Sequence, residues 1–147
     1  RTRAVWRRRG VKILVDASAW VPMEVASDQW RPNVLRVLSE LRERREPIEL
    51  HTTNWTLYEA LSITRRRDPR LARMLHERAS KGVHVHRIDP GIEKEAVANF
   101  LSWMDKKASV VDHANTVAAV RSGCEAILSF DRDFIPLAAA AGLRVLR

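Results

Sequence analysis

Cysteine is nearly absent from this chain. Cys124 is the only one in 147 residues, so no internal disulfide can form and the cytoplasm is the expected compartment. Its setting, SGCEAIL at the start of an apolar run, reads as a buried thiol and not as a nucleophile. Nor does any apolar stretch approach the ~20 residues that a membrane span requires. The early run KILV is too short, and too closely followed by Asp16, to be the core of a signal peptide. Internal repeats, low-complexity tracts and a linker long enough to divide the chain are also missing, which points to one domain. The five histidines lack structural-zinc spacing. His84 and His86 alternate on one strand face, but no further ligands stand at the right separations. Among them only His113, beside Asp112, is a candidate for a functional role.

What is present begins with a core. Hydrophobic residues make up 46% of the chain, and a domain of this size buries roughly 70% of its unfolded surface. The net charge of +8 is unevenly spread, because Arg1, Arg3, Arg7, Arg8 and Arg9 carry five of those charges and leave about +3 for the remainder. Residues 1–10 have no apolar periodicity and are expected to be a basic arm, frayed or extraneous, ahead of a single domain at 11–147. A mildly basic body permits a polyanionic partner without requiring one.

KILVD (12–16), rich in β-branched residues and preceded by Gly10, reads as a buried strand. Ser18 is a candidate N-cap for a short helix through Ala19, Trp20 and Val21, with Pro22 in its first turn. Residues 28–45 form the next expected helix. Val34, Leu35, Val37, Leu38 and Leu41 make its apolar stripe, Arg36, Glu40 and Arg44 share the opposite face, and Pro47 ends it. IELHTT follows as a strand, and from Asn54 a helix carries Leu57, Ala60, Leu61 and Thr64 on one stripe with Glu59 off it. Further helices are expected at 69–80, 93–106, 112–121 and 134–141, and strands at VHVHRID, AILSFD and LRVL. This alternation implies an α/β/α three-layer fold with a mostly parallel central sheet.

Four acids sit in four separate segments: Asp16 closes KILVD, Glu59 lies in TTNWTLYEALS, Asp112 in ASVVDHAN and Asp131 in AILSFDRDF. A carboxylate directly after a buried strand stands at the carboxyl edge of the sheet, where open α/β folds build their sites. Carboxylates converging there repel one another unless a divalent cation neutralises them or one takes up a proton. A Mg²⁺ or Mn²⁺ site is therefore the leading functional reading. Each acid also has a plainer use: Asp16 as a turn-former, Asp112 as a helix cap, Glu59 as a solvated helix residue. Asp133 reads as a loop or cap acid, or as a ligand through water. Mg²⁺ favours oxygen ligands and retains several waters, and such an ion activates water and stabilises charge on phosphate oxygens.

In this order and at these separations, VDASAW, TTNWTLYEALS, SVVDHANTVAAV and AILSFDRDF resemble the signature segments of PIN-domain ribonucleases. The variant is similar to the VapC-type toxins of prokaryotic toxin–antitoxin pairs, and the resemblance runs from Val11 to Leu146. It implies a PIN-like fold and a metal-dependent endoribonuclease that leaves 5′-phosphate and 3′-hydroxyl ends, using one or two Mg²⁺ or Mn²⁺ ions. By the same resemblance Asp16 and Asp112 are metal ligands, Glu59 and Asp131 bind directly or through water, and Ser18 is the accompanying hydroxyl. Many relatives carry Ser or Thr three residues after the third acid. Here Asn115 stands there, followed by Thr116, and Asn115 is expected to hydrogen-bond a water on the ion.

Arg65, Arg66, Arg67, Lys106 and Lys107 are candidate phosphate contacts for RNA; their plainer reading is a solvated surface. Trp20, Trp30, Trp55 and Trp103 can stack bases, though core or interface packing suits most of them better. The resemblance further implies a homodimer, for which Trp30, Val34 and Leu38 offer a face at i, i+4 and i+8. It also implies a small antitoxin whose disordered tail would carry an Arg to the acidic pocket, with a groove around Trp20, Trp30 and Leu35. The alternatives are a PIN-type nuclease of RNA maturation or decay, and a non-catalytic RNA-binding module. A binder of polyanions gains nothing from clustered carboxylates, which disfavours the last. An aspartate-nucleophile phosphatase fits poorly, since Asp16 is followed by Ala17-Ser18 and not by a second acid.

Overall fold

The first element among the described residues is Val11–Val15 (β1), buried on both sides apart from the half-buried Lys12, as strand alternation allows. Ile13 and Val15 enter one apolar cluster and Leu14 another, so β1 lies between two layers of helix. A computed structural model describes residues 10–105 and 107–147; the basic arm ahead of Gly10 and Lys106 lie outside them.

The remaining elements are Ala17–Glu24 (α1), Arg31–Glu43 (α2), Ile48–Thr53 (β2), Asn54–Arg67 (α3), Pro69–Ser80 (α4), Val83–His86 (β3), Pro90–Ser102 (α5), Val110–Arg121 (α6), Ala126–Leu128 (β4), Phe134–Ala140 (α7) and Arg144–Leu146 (β5). The five strands form one sheet in the order β3-β2-β1-β4-β5, and every pairing is parallel. The fold is therefore the expected α/β arrangement, and its sheet is wholly parallel among the described residues.

Trp20, Val34, Leu57 and Leu75, from α1 to α4, pack with Ile13 and Val15 on one face. Ala118, Phe134 and Ala138, from α6 and α7, pack with Leu14 and Ile127 on the other, and α5 joins through Ile92 and Ala96 against Ala114 and Val117 of α6. Each such buried side chain of Val, Leu or Phe size contributes roughly 1.5–3 kcal/mol. Trp20 is fully buried, with its Nε1–H donated to Thr52 Oγ1 at 3.1 Å.

Several boundaries differ from the sequence pattern, for identifiable reasons. The cap of α1 is Asp16, whose carboxylate accepts the Ser18 backbone N–H, so Ser18 lies inside the helix. Pro22 is the sixth residue of that helix and not in its first turn. The Arg31 guanidinium serves the carbonyls of Pro22 and Met23 near its end, at 3.0 and 2.5 Å. Asp28 precedes α2 in a turn that accepts the Trp30 N–H at 2.8 Å. The helix at α6 is capped by Ser109, with Asp112 as the reciprocal acid of a capping box, so Asp112 is not itself the cap. The Trp30–Val34–Leu38 face, expected to meet a partner subunit, packs inward: Val34 is fully buried, and Trp30 and Leu38 lie against the same core cluster.

Candidate active site

The chain runs outward from β1 through β2 and β3 on one side, then returns to β4 and β5 on the other. β1 and β4 are neighbours, and the segments leaving them go to helices on opposite faces, α1 and α7. Such a point of reversal opens a crevice at the carboxyl ends of the strands. Asp16 leaves β1 there, and Ser129, Phe130 and Asp131 leave β4 beside it.

A cavity of about 240 Å³ occupies this crevice, lined by Asp16, Ser18, Asp28, Trp30, Glu59, Asp112 and Asp131 among others. All four acids singled out in the sequence thus reach one cavity. Asp16 is buried and fixed, because its Oδ2 accepts hydrogen bonds from Ser18 Oγ at 2.8 Å and Ser129 Oγ at 3.0 Å. Each hydroxyl is locked in turn, Ser18 Oγ by the Phe130 N–H at 2.9 Å and Ser129 Oγ by the Asp131 N–H at 3.1 Å. Two serines therefore tie the start of α1 to the segment after β4. Asp112 comes from the first turn of α6, where its Oδ2 accepts the Ser109 N–H at 2.8 Å. Asp131 accepts the Asp133 N–H at 2.9 Å. Glu59 lies on the exposed face of α3 and makes no hydrogen bond among the described residues.

The electrostatics are those of crowded acids. Burial raises the pKa of Asp16, against the lowering effect of its hydrogen bonds from Ser18 and Ser129. Asp112 is pushed up to about 6, first by burial and then by repulsion from Asp16 and Asp131. Glu59 is raised by burial and by the same two neighbours. An all-oxygen, anionic donor set of this kind suits a hard divalent ion such as Mg²⁺ or Mn²⁺. The four carboxylates are spread around the cavity: no three of them bring ligand atoms within 4.8 Å of one another. Ion binding by few direct ligands and several waters accords with that spacing.

The other sequence candidates fall elsewhere. Asn115 is fully buried behind the cavity, where its Oδ1 accepts from Thr53 Oγ1 at 2.7 Å and Thr56 Oγ1 at 2.8 Å, joining α6 to the start of α3. Thr116 returns its hydroxyl to the Asp112 carbonyl at 2.9 Å and lines a different cavity, between α5, α6 and α7. Asp133 does not line the acidic cavity and stands ahead of α7. His113 is buried, edge-on to Phe100 and Trp103. Trp20, being fully buried, cannot help form an external groove, whereas Leu35 is exposed and Trp30 stacks on Phe130 at 5.3 Å. Arg65, Arg66, Arg67 and Lys107 are exposed.

Two contributors escaped the sequence reading. Ser129 is a single hydroxyl inside an apolar strand end, and only the β1–β4 pairing brings it to Asp16. Asp28 lines the cavity from the turn before α2. A second cluster also escaped it, on β2 and the edge strand β3: Glu49, His51 and His84 can hold a metal ion, their ligand atoms lying within 4.8 Å of one another. None of these three lines the acidic cavity.

No protein-family model matches the sequence, and no curated protein does either. Solved structures do match it. VapC20 of Mycobacterium tuberculosis, described as a sarcin–ricin loop cleaving toxin, is 26% identical, with a TM-score of 0.74 over 89% of this chain and 95% of that one. The fold is that of a PIN domain. The same PIN fold, at lower identity, is found in VapBC2 of Rickettsia felis, solved with a DNA fragment from its promoter (7% identical, TM-score 0.64, 92% of this chain and 97% of that one). FitAcB of Neisseria gonorrhoeae matches at 16% identity and a TM-score of 0.61 over 92% and 96% of the two chains. The chain thus resembles the PIN-domain proteins of toxin–antitoxin systems. No helix among the described residues is long and apolar enough to cross a membrane.

Proposed function

We propose that this PIN domain is a metal-dependent endoribonuclease that serves as the toxin of a toxin–antitoxin pair. The observation that carries the reading is the convergence of Asp16, Glu59, Asp112 and Asp131 on one cavity at the sheet's reversal point. Three of them have raised pKa values, first through burial, and at Glu59 and Asp112 also through repulsion from Asp16 and Asp131, a repulsion left unneutralised before any ion arrives. A Mg²⁺ or Mn²⁺ ion held by Asp16 and Asp112, with Glu59 and Asp131 direct or through water, would relieve it and supply Lewis-acid activation of water and phosphate.

The protein's own residues have distinct tasks in this proposal. Ser18 and Ser129 hold the Asp16 carboxylate in one orientation, so that no reorganisation is needed when substrate binds. Glu59, exposed and without a hydrogen-bond partner among the described residues, is the acid best placed to exchange a proton with solvent or substrate. Arg65, Arg66 and Arg67 end the same helix and offer charge to the RNA backbone. Lys107 is a further candidate contact. The similarity to VapC20 makes the sarcin–ricin loop the first substrate to try.

A small antitoxin is the proposed partner, supported by the likeness to VapBC2 and FitAcB; a homodimer is proposed as well, and of the Trp30–Val34–Leu38 face only the partly buried Trp30 and Leu38 are open to a partner subunit. The deciding experiment is cleavage of total RNA by the purified protein with Mg²⁺ or Mn²⁺, beside Asp16→Asn prepared identically. Divalent-dependent cleavage that disappears in Asp16→Asn is expected. Equal cleavage by both proteins, or none by either with any divalent ion, would overturn the assignment. Activity in vitro without growth arrest on expression would favour RNA maturation or decay over a toxin role.

A further inference from the structure

The parallel register of β2 and β3 sets His51 directly opposite His84, with Leu50 opposite Val83 and Thr53 opposite His86. Side chains two residues apart on a strand share a face, so Glu49 and His51 of β2 and His84 and His86 of β3 form one patch. Its members touch. His51 Nδ1 lies 2.7 Å from His86 Nε2, His51 Nε2 lies 3.4 Å from Glu49 Oε2, and the His51 ring stacks between those of His84 and His86, with centroids 4.6 and 5.0 Å away.

We propose that Glu49, His51 and His84 form a second metal site, selective for a borderline ion such as Zn²⁺ and separate from the acidic cavity. The donor set is two imidazoles and one carboxylate, a combination that suits Zn²⁺, Co²⁺ or Ni²⁺ and not Mg²⁺, which demands six oxygens. Distance agrees with the choice. A tetrahedron with bonds of about 2.0–2.1 Å has edges of roughly 3.3–3.4 Å, close to the 3.4 Å between His51 Nε2 and Glu49 Oε2.

His86 has the supporting part. Its nitrogen engages His51 Nδ1, which leaves Nε2, the nitrogen facing Glu49, as the donor; ligating histidines are normally oriented through their other nitrogen in this way. Because the His51 and His84 rings stack at 18°, the ion is captured by a rotation of the His84 ring, which is free to turn because it is exposed on the edge strand. A water fills the fourth position. Lys12, in register with Glu49, is the nearby opposing charge, and its ammonium is directed to the Ser122 carbonyl at 3.4 Å. The bound ion would clip the edge strand β3 to β2, adding a metal link to the backbone bonds and the His51–His86 contact that already join the pair.

The test uses the full chain stripped of metal with a chelator and titrated with Co²⁺, then Zn²⁺. Four-coordinate Co²⁺ on nitrogen donors absorbs far more strongly in the visible than Co²⁺ in an octahedral oxygen site, so the two sites are told apart by colour. One equivalent of intensely absorbing Co²⁺, displaced by Zn²⁺ but not by excess Mg²⁺, is expected. Asp16→Asn should keep this signal, whereas His84→Ala and Glu49→Gln, both at solvent-reached positions, should lose it while melting like the unsubstituted protein without metal. His86→Phe should weaken Zn²⁺ roughly 10- to 100-fold. A signal absent from the unsubstituted protein, or unchanged in both His84→Ala and Glu49→Gln, would overturn the proposal. Ring resonances of His51 and His84 that do not move on adding Zn²⁺ would do the same without any variant.

Discussion

Replacing Asp112 with Asn separates the demands of the acidic cavity from those of the fold. The Asp112 pKa rises from 3.8 to about 6 in the folded chain, so its charged form is disfavoured there by roughly 3 kcal/mol. Between those two values the folded protein binds more protons than the unfolded one. Stability from this group is therefore complete below about pH 4 and is lost as the pH rises through about 6. Asn carries no charge to lose, yet its carbonyl oxygen can still accept the Ser109 N–H that closes the capping box. The substitution gives up an anion at the positive end of α6, a loss of about 0.3–1 kcal/mol. Without metal, at about pH 8, Asp112→Asn should thus be more stable by about 2 kcal/mol, which for a chain of this size raises Tm by roughly 4–8 °C. The assay is a thermal melt in chelator at about pH 8 and again at about pH 4, where the advantage should vanish. Saturating Mg²⁺ should raise the Tm of the unsubstituted protein and leave the variant nearly unmoved. A variant that melts no higher than the parent at the alkaline pH, or that keeps its advantage at the acid pH, would refute this account of the cavity.

Other substitutions probe the supports. Ser129→Ala removes one donor to Asp16 and the acceptor of the Asp131 N–H, in a fully buried position; a loss of about 1–3 kcal/mol in denaturant unfolding is expected. Asn115→Ala strands the hydroxyls of Thr53 and Thr56, and should cost about as much while leaving Mg²⁺ affinity by calorimetry within a few-fold, since Asn115 does not line the cavity. Changing Arg65, Arg66 and Arg67 together to Ala should weaken RNA binding and flatten its salt dependence, by about 0.7 in the log–log slope for each single-strand phosphate no longer neutralised.

Much of the architecture was legible because its signals are local. IELHTT became β2 residue for residue, and Asn54, Pro69 and Ser80 mark helix ends where the pattern placed them. Boundaries slipped where a side chain did something that periodicity does not encode. Asp28 spends its carboxylate on a turn, which delays α2, and the Asp89 cap opens α5 at Pro90, ahead of the expected start at Glu93. The stripe of Trp30, Val34 and Leu38 was correctly seen as apolar, but a stripe does not say whether it meets its own core or another subunit. The four acids could be named because each follows a strand or sits in a recognisable segment. Ser129 and the Glu49–His51–His84 patch could not, since they exist only through strand register across long separations. For the same reason Asn115, polar and close to Asp112 in sequence, looked like part of the cavity, when its buried carbonyl instead fastens two helices.

The two serines that grip Asp16 also set a clock. Ser129 meets a carboxylate 113 residues before it, so the first acid acquires its final orientation only after β4 has been made and has paired with β1. At about 5–20 residues per second, translation takes roughly 6–23 s to cover that distance. By the end of that interval the nascent chain has made α1 to α6 and three strands of its sheet, but until β4 pairs with β1 it has no assembled acidic cavity. A ribosome carrying the unfinished protein is thereby shielded from the activity proposed for it, by the order in which the strands are laid down.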